Sequence, residues 1–328
     1  MLAGRVRRSR GAGRDGVAIR CCSLASTTVA SWVVAETSTR LFCMQARCDL
    51  HLHSDASDGS VPPDQLAANL GHVHLAVLTD HDTLAGSAAF AKVVDSELPV
   101  PDGVEISLRW ESGTFHLLVY GNSLARTELA TRIDELAVAR QNRNLELLDR
   151  ANQYGLSITE EEVLAVAGTT DFQAKSVGRP HFARVLVDHG YAESIQDAFD
   201  RYLAKGRPLY SPKTLFGFDE IGPLCADLGL VAVVAHPFSL GLPLSSLAST
   251  LADYRRIGLV GLECLYAGYT PEQRTQLTQI ARDLDLLVTG GSDYHGTFKP
   301  GLEPLKGFGD LVVPAEVGDR LLESLNRS

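Results

Sequence analysis

The chain has no CxxC pair, although it carries six cysteines: Cys21, Cys22, Cys43, Cys48, Cys225 and Cys264. Cysteines without paired spacing read as reduced and partly buried rather than as a disulfide frame, and they predict a cytoplasmic protein. There is no run of about 18 apolar residues, so no membrane-spanning helix is expected. Cations are outnumbered, with 30 Lys and Arg against 40 Asp and Glu, for a net charge of −10. That balance argues against a surface that neutralises DNA phosphates, so no stable DNA binding is expected. It leaves room for an anionic substrate held by a local cluster of cations. A Walker loop, a GxGxxG run and a nucleophile elbow are missing too. Gly290-Gly291 reads as a tight turn that delivers Asp293, not as a phosphate loop.

What is present points to an α/β protein. With 328 residues and 45% hydrophobic content, the chain fills one large domain or two ordinary ones. Residues 1–43 stand apart, with seven Arg against Asp15 and Glu36, a local charge of +5. Such a bias suits a transit peptide or a flexible tail. A third reading is preferred, in which translation begins at Met44, and residues 1–45 are expected to be a disordered extension. From Ala46 onward apolar strands alternate with helices. Strands are predicted over 46–50, 74–79, 103–107, 114–120, 230–235, 260–264 and 286–289. Helices are predicted over 64–70, 85–94 and 270–285, the first capped by Ser60 with prolines in its first turn. This alternation predicts a mostly parallel barrel or sheet. Residues 122–212 break it. A helical pattern over 127–154 places Leu129, Ile133, Leu136, Leu145 and Leu148 on its apolar face, and shorter helices follow over 160–167, 181–189 and 195–205. This segment reads as a helical insertion between 46–121 and 213–328, with Gly121 and Gly217 as its joints.

The chain is organised around Asp49-Leu50-His51-Leu52-His53-Ser54-Asp55-Ala56-Ser57-Asp58-Gly59. On a strand, alternate side chains share a face, so the imidazoles of His51 and His53 point the same way. With Asp58 they make half of a first-row metal site. Other ionisable groups lie on or just after apolar strands: His81, Glu105, His116, His236, Asp293 and His295. Strand C-termini share one mouth of an α/β barrel, so these nine residues are expected to converge there. Nine ligands exceed what one metal accepts and suit two or three divalent ions, with Glu105 as the bridge. Mixed imidazole and carboxylate donors favour Mn, Fe or Zn over Mg. Clustered divalent metals ready a water and clamp phosphoryl oxygens, which is hydrolysis of a phosphate ester without a protein nucleophile. Ser54 and Ser57 are accordingly read as turn residues. Asp80 and Asp82 flank His81 and are read as orienting ligating imidazoles; Asp49 and Asp55 either do the same or are solvated loop acids. Glu263 is left without a role.

Asp49–Gly59, Thr79-Asp80-His81-Asp82-Thr83, Gly103-Val104-Glu105-Ile106, Ala235-His236-Pro237 and Gly291-Ser292-Asp293-Tyr294-His295-Gly296 resemble, in order, the motifs of the PHP-domain (polymerase and histidinol phosphatase) metallophosphoesterases. The resemblance spans about residues 46–325. It implies a distorted (β/α)7 TIM-like barrel with a trinuclear site, manganese being the expected metal. Gly178-Arg179-Pro180-His181-Phe182-Ala183 and Tyr210-Ser211-Pro212-Lys213 further resemble the subgroup of 3′,5′-nucleoside bisphosphate phosphatases and 5′→3′ exoribonucleases. The implied substrates are small nucleotides such as adenosine 3′,5′-bisphosphate, and short oligoribonucleotides. A bisphosphate needs a second phosphate site, for which Arg179 offers a bidentate grip and Lys213 a point charge. His181 is expected to bind phosphate or protonate the leaving oxygen. Two alternatives remain open at this point. A histidinol-phosphate phosphatase would have no use for the Gly178–Ala183 insertion, and a non-catalytic metal-binding module would not need the complete ligand set.

Overall fold

The computed structural model describes residues 47–327 except 112, 173–176 and 213. The expectations for residues 1–45, for Cys21, Cys22 and Cys43, and for Lys213 lie outside the described residues. In chain order the elements are β1 (Cys48–Leu52), α1 (Pro63–Asn69), β2 (His72–Val73), β3 (Leu75–Leu78), α2 (Ser87–Val93), β4 (Asp95–Ser96), β5 (Asp102–Trp110), β6 (Gly113–Gly121), α3 (Glu128–Gln153), α4 (Glu160–Ala167), α5 (Arg179–Asp188), α6 (Ile195–Ala198), α7 (Phe218–Asp227), β7 (Val231–Val234), α8 (Leu244–Arg255), β8 (Leu259–Tyr266), α9 (Pro271–Asp283), β9 (Leu287–Gly291) and α10 (Ala315–Arg327).

β1 pairs in parallel with β3, while β5 through β9 form a second, five-stranded sheet in sequence order. Its β7–β8–β9 half is parallel, as expected, but β5–β6–β7 is antiparallel. The tight turn between β5 and β6 forces their reversal, because a parallel pair needs a long crossover. Backbone bonds also join the two sheets. Glu105 N–H donates to the Asp80 carbonyl at 3.2 Å and Asp82 N–H to the Glu105 carbonyl at 2.9 Å, linking the end of β3 to β5. On the other side, His53 N–H donates to the Tyr294 carbonyl at 3.0 Å and Asp293 N–H to the His51 carbonyl at 2.8 Å, linking β1 to the end of β9.

The five-stranded sheet is apolar on both faces. Along β6, Leu117 and Val119 join one buried cluster with Ile106, Leu251 and Leu277, while Leu118 and Tyr120 join another with Leu50, Val77 and Val233. This period of two, apolar on both sides, is the mark of a sheet covered on both faces. Each such buried Leu or Val is worth roughly 1.5–3 kcal/mol. A separate apolar cluster, with Leu147, Phe172, Phe182, Leu186 and Leu203, is built by α3, α4, α5 and the turns that follow. Cys48, Cys225 and Cys264 are free thiols in the interior.

Two local expectations need correction. Ser60 does not cap α1. Pro62 holds that place with no side-chain bond, and Ser60 Oγ instead accepts the Thr297 N–H at 2.8 Å, tying the first loop to the one after His295. On α3, Leu145 is 39% exposed while Arg143 and Asn144 are buried. The helix packs Leu129, Ile133 and Leu136 on the sheet and Leu147, Leu148 and Ala151 on the helical cluster. Its buried face therefore turns between the two, and Leu145 falls in the gap.

Candidate metal centre

β1 ends where the chain must carry polar side chains into the interior. His51 and His53 are both fully buried. The room for His51 depends on Gly291: a Cβ there would lie 2.6 Å from the His51 amide nitrogen and 2.9 Å from Asp49 Oδ1. Glu105, fully buried on β5, is the hub. Its Oε2 lies 3.1 Å from His51 Nε2, 3.1 Å from His53 Nε2 and 3.2 Å from His81 Nδ1. Its Oε1 lies 3.0 Å from His116 Nδ1 and 3.0 Å from His236 Nε2. Asp293 Oδ1 sits 3.2 Å from His53 Nε2 and 3.4 Å from His295 Nδ1. Asp58 closes the outer side, 3.3 Å from His295 Nε2 and 3.7 Å from both His53 Nδ1 and His81 Nε2.

All nine residues expected to hold metal therefore stand together. Three sets, His53-Asp58-His81-His295, His51-His53-Glu105-Asp293 and His81-Glu105-His116, each offer ligand atoms within 4.8 Å of one another. His236 joins the third set through Glu105 and through His116 Nδ1, 3.3 Å from its Nε2.

The donor set fits divalent cations. Both ring nitrogens of His53 and Nδ1 of His81 are buried without a hydrogen-bond partner among the described residues. Carboxylate oxygens face them, and two acceptors facing each other repel unless a cation or proton lies between. An acceptor faces Nδ1 of both His51 and His295, which assigns a proton there: His51 Nδ1–H donates to Glu263 Oε1 at 2.8 Å and His295 Nδ1–H to the Asp293 carbonyl at 2.8 Å, so that Nε2 is the nitrogen each ring turns to the centre. Burial drives the His81 imidazole down to about 4, against the pull of Glu105 and Asp58. Burial alone would raise the Glu105 carboxyl. His81, His51 and His116 outweigh it and hold the group well below the ordinary carboxylate range.

Asp82, His236 and Asp293 have left-handed φ values of 49°, 27° and 54°. A non-glycine residue in that region is strained, and strain of this kind gathers where a site is built.

Several neighbours act differently from their sequence reading. Asp80 orients no imidazole; it accepts Ser54 Oγ–H, Ser57 Oγ–H and Ser54 N–H at 2.6–2.7 Å and so folds the loop after His53. Asp49 pins the Ser292 and Leu305 amides at 2.9 and 2.8 Å. Asp82 accepts Ser107 N–H at 2.9 Å and an Arg140 Nη2–H at 2.7 Å. The orienting role falls to Glu263, which also accepts the His236 N–H at 2.7 Å. Tyr266 and Lys299 were missed altogether. The Tyr266 hydroxyl donates to Asp293 Oδ2 at 2.8 Å and Lys299 Nζ at 2.5 Å, aiming Oδ1 inward. No spacing announces them: Tyr266 meets Asp293 from the neighbouring strand, 27 residues away, and Lys299 does so because the turn Gly296–Phe298 folds the chain back. Arg179 and His181 open α5. Arg179 Nη1–H donates to the Leu203 carbonyl at 3.2 Å, and His181 Nδ1 lies 3.2 Å from the Gly178 amide nitrogen.

No family model matches the chain. It is 30% identical over 257 residues to a 5′-3′ exoribonuclease of Haemophilus influenzae, covering 77% of this chain and 91% of that protein. It is 29% identical over 267 residues to a 3′,5′-nucleoside bisphosphate phosphatase of Chromobacterium violaceum, covering 78% and 90%. A solved structure of a candidate metal-dependent phosphoesterase from Bifidobacterium adolescentis superposes with a TM-score of 0.70 at 30% identity, over 85% of this chain and 96% of that one. With the nine-residue cluster in place and relatives of this likeness over most of their length, the chain belongs to the PHP-domain metallophosphoesterases, alongside the 5′-3′ exoribonucleases and 3′,5′-nucleoside bisphosphate phosphatases.

Proposed function

We propose that the chain hydrolyses a phosphate monoester of nucleoside 3′,5′-bisphosphates, for example adenosine 3′,5′-bisphosphate to AMP and phosphate, and trims short RNA from its 5′ end. The observation that carries the chemistry is Glu105 surrounded by five imidazoles at 3.0–3.2 Å. The substrate class is supported by the names of the two relatives above. Two or three divalent ions, manganese in the first place, are assigned to His51, His53, Asp58, His81, Glu105, His116, His236, Asp293 and His295. When bound, such ions lower the pKa of a coordinated water and neutralise charge on the phosphoryl oxygens.

The chain's own residues do the rest. Glu263 fixes the His51 ring, and Tyr266 with Lys299 fixes Asp293, so the ligand atoms are preorganised. Arg179 and Lys213 grip the phosphate that is not cleaved, and His181 gives a proton to the leaving oxygen. In this reading residues 122–212 form a substrate cap inserted into a PHP domain of 46–121 and 213–328. The same reading makes β1, β3 and β5–β9 one distorted seven-stranded barrel with the metal centre at its mouth, a reading that the β3–β5 and β1–β9 backbone bonds support.

Turnover with Mn²⁺ of adenosine 3′,5′-bisphosphate, histidinol phosphate and a 5′-phosphorylated RNA trimer tests the proposal. The bisphosphate is expected to be hydrolysed fastest. Equal or better turnover of histidinol phosphate overturns the substrate assignment.

A further inference from the structure

The strand ends that deliver metal ligands also deliver a row of aromatic rings. His236 lies just after β7, and Tyr266 is the last residue of β8. Their ring centroids are 5.6 Å apart. Tyr269, in the turn after β8, stands 4.8 Å from Tyr266, and Phe238, in the turn after His236, stands 5.0 Å from Tyr269. The row therefore starts on a residue of the candidate metal centre and runs away from it. Neighbouring rings are inclined by 60–69°, the edge-to-face arrangement that aromatic quadrupoles favour.

Hydrogen bonds fix the row in place. The Phe238 N–H donates to the Tyr269 hydroxyl oxygen at 2.9 Å, and the Tyr266 hydroxyl donates to Asp293 Oδ2 at 2.8 Å. Both phenols are thereby engaged, and what the row still offers is ring surface. Phe238 and Tyr269 pack on the apolar cluster of the sheet yet stay half-buried, as does Tyr266. Burial pushes the Tyr269 phenol above its ordinary value, so this ring brings no charge to the mouth. Ring area left in water beside a polar centre gains by being covered, and a planar π system covers it best. Two ring spacings separate Tyr269 from His236, a span comparable with that between the phosphorus of a nucleotide and its own base.

We propose that this row is a nucleobase site, where a purine or pyrimidine stacks on Tyr269 and Phe238 while its phosphate lies at the metal centre. That a planar aromatic group of the substrate binds here stands on the row alone; that the group is a nucleobase rests on the function proposed above. Stacking accepts every base, because every base has a π face. The site therefore selects for the presence of a base and not for its identity, and it separates nucleotides from sugar phosphates that have none.

Two measurements on the full, Mn²⁺-loaded chain test this. In the first, the protein is titrated with 2-aminopurine riboside 5′-monophosphate, whose fluorescence is quenched when its base stacks. The wild type is expected to quench it. Phe238→Leu, which keeps apolar bulk on the sheet but removes the ring, is expected to raise the Kd ~10-fold, within the range that one stacked base contributes. Phe238→Tyr is expected to bind like the wild type. In the second, KM is compared for adenosine 3′,5′-bisphosphate and its base-free analogue, 1,4-anhydroribitol 3,5-bisphosphate. The wild type is expected to favour the nucleotide ~10-fold or more, and Phe238→Leu to close most of that gap. A wild type that leaves the probe unquenched or treats both substrates alike overturns the proposal. So does a Phe238→Leu protein whose KM rises equally for both, since Phe238 is then a packing residue. Should Phe238→Leu not fold, the wild-type quenching and its two KM values decide. Quenching that Phe238→Leu weakens, in a protein that leaves the bisphosphate uncut, keeps the base site and removes the function proposed above instead.

Discussion

Strand β3 has a histidine–carboxylate cluster at each end, and the two are built of the same residue types. At its C-terminal end lie His81, Glu105 and the rest of the candidate metal centre. At its N-terminal end His72 and His74 meet Asp95, Glu97 and Asp319. In the second cluster every imidazole nitrogen has its own carboxylate oxygen, at 2.7–3.2 Å, and the His72 side chain is 55% exposed. In the first, five imidazoles share one carboxylate, and buried ring nitrogens have no hydrogen-bond partner. Composition does not separate a metal site from a surface ion-pair chain. Convergence on a common point, burial and unmet lone pairs do. One cluster is incomplete without cations, and the other is satisfied as it stands.

The strongest way to break this comparison is to remove the hub. Glu105→Ala is expected to lower kcat/KM by about 10³-fold or more, as loss of a group that stabilises transition-state charge does, and to lower bound metal measured by elemental analysis. Removing the hub of the other cluster, by Glu97→Ala, is expected to leave both unchanged. Equal metal content in the Glu105→Ala protein and the wild type would dissolve the distinction.

The comparison is sharpened next by Glu263, which touches two ligands from behind. Glu263→Gln keeps the shape but places an amide N–H₂ against either the His51 Nδ1–H or the His236 N–H. Residues that orient ligands typically cost about 10–100-fold in metal affinity or activity. That loss is expected in a titration of apoprotein with Mn²⁺, and an unchanged Kd would return Glu263 to the role of a buried structural acid. Below that stands Gly291→Ala, which forces a methyl onto the His51 backbone. A stability loss of about 1–3 kcal/mol is expected from overpacking, read as a lower midpoint in urea. An unaltered midpoint would mean that β9 and β1 separate more freely than their contacts imply.

How much of this was legible beforehand follows from what sets each position. The nine cluster residues sit on or just after strands, where period-two alternation and the shared strand ends fix their direction, so His51, His53, Glu105 and Asp293 could be grouped from sequence. The shorter helices were readable where caps and apolar spacing agreed, as for the Thr270-capped α9. Arg143 was not. It stands on α3 where the buried face turns from the sheet to the helical cluster, and a straight periodic pattern chose Leu145 in its place. Glu263 was visible as a strand acid, but its role depends on His51 being 2.8 Å away across 212 residues of chain. Long side chains on helices and contacts between distant segments are settled by packing, which spacing alone does not encode.

The smallest effect belongs to the cluster that needs no metal, and its sign is distinctive. Burial works against the charge on His74, but Asp319 and Glu97 outweigh it and raise its pKa above the ordinary imidazole value. A group whose pKa is raised on folding binds its proton more tightly in the folded chain. Its contribution is therefore complete below the unfolded pKa of about 6.5 and fades as pH climbs through the raised folded value. His74→Ala is expected to cost about 1 kcal/mol at pH 6, in the range of partly exposed ion pairs, and less at pH 9. Urea unfolding of both proteins at the two pH values measures the difference. A cost that grows with pH would mean that neutral His74 is what the fold uses, and that the two ends of β3 are more alike than their geometry suggests.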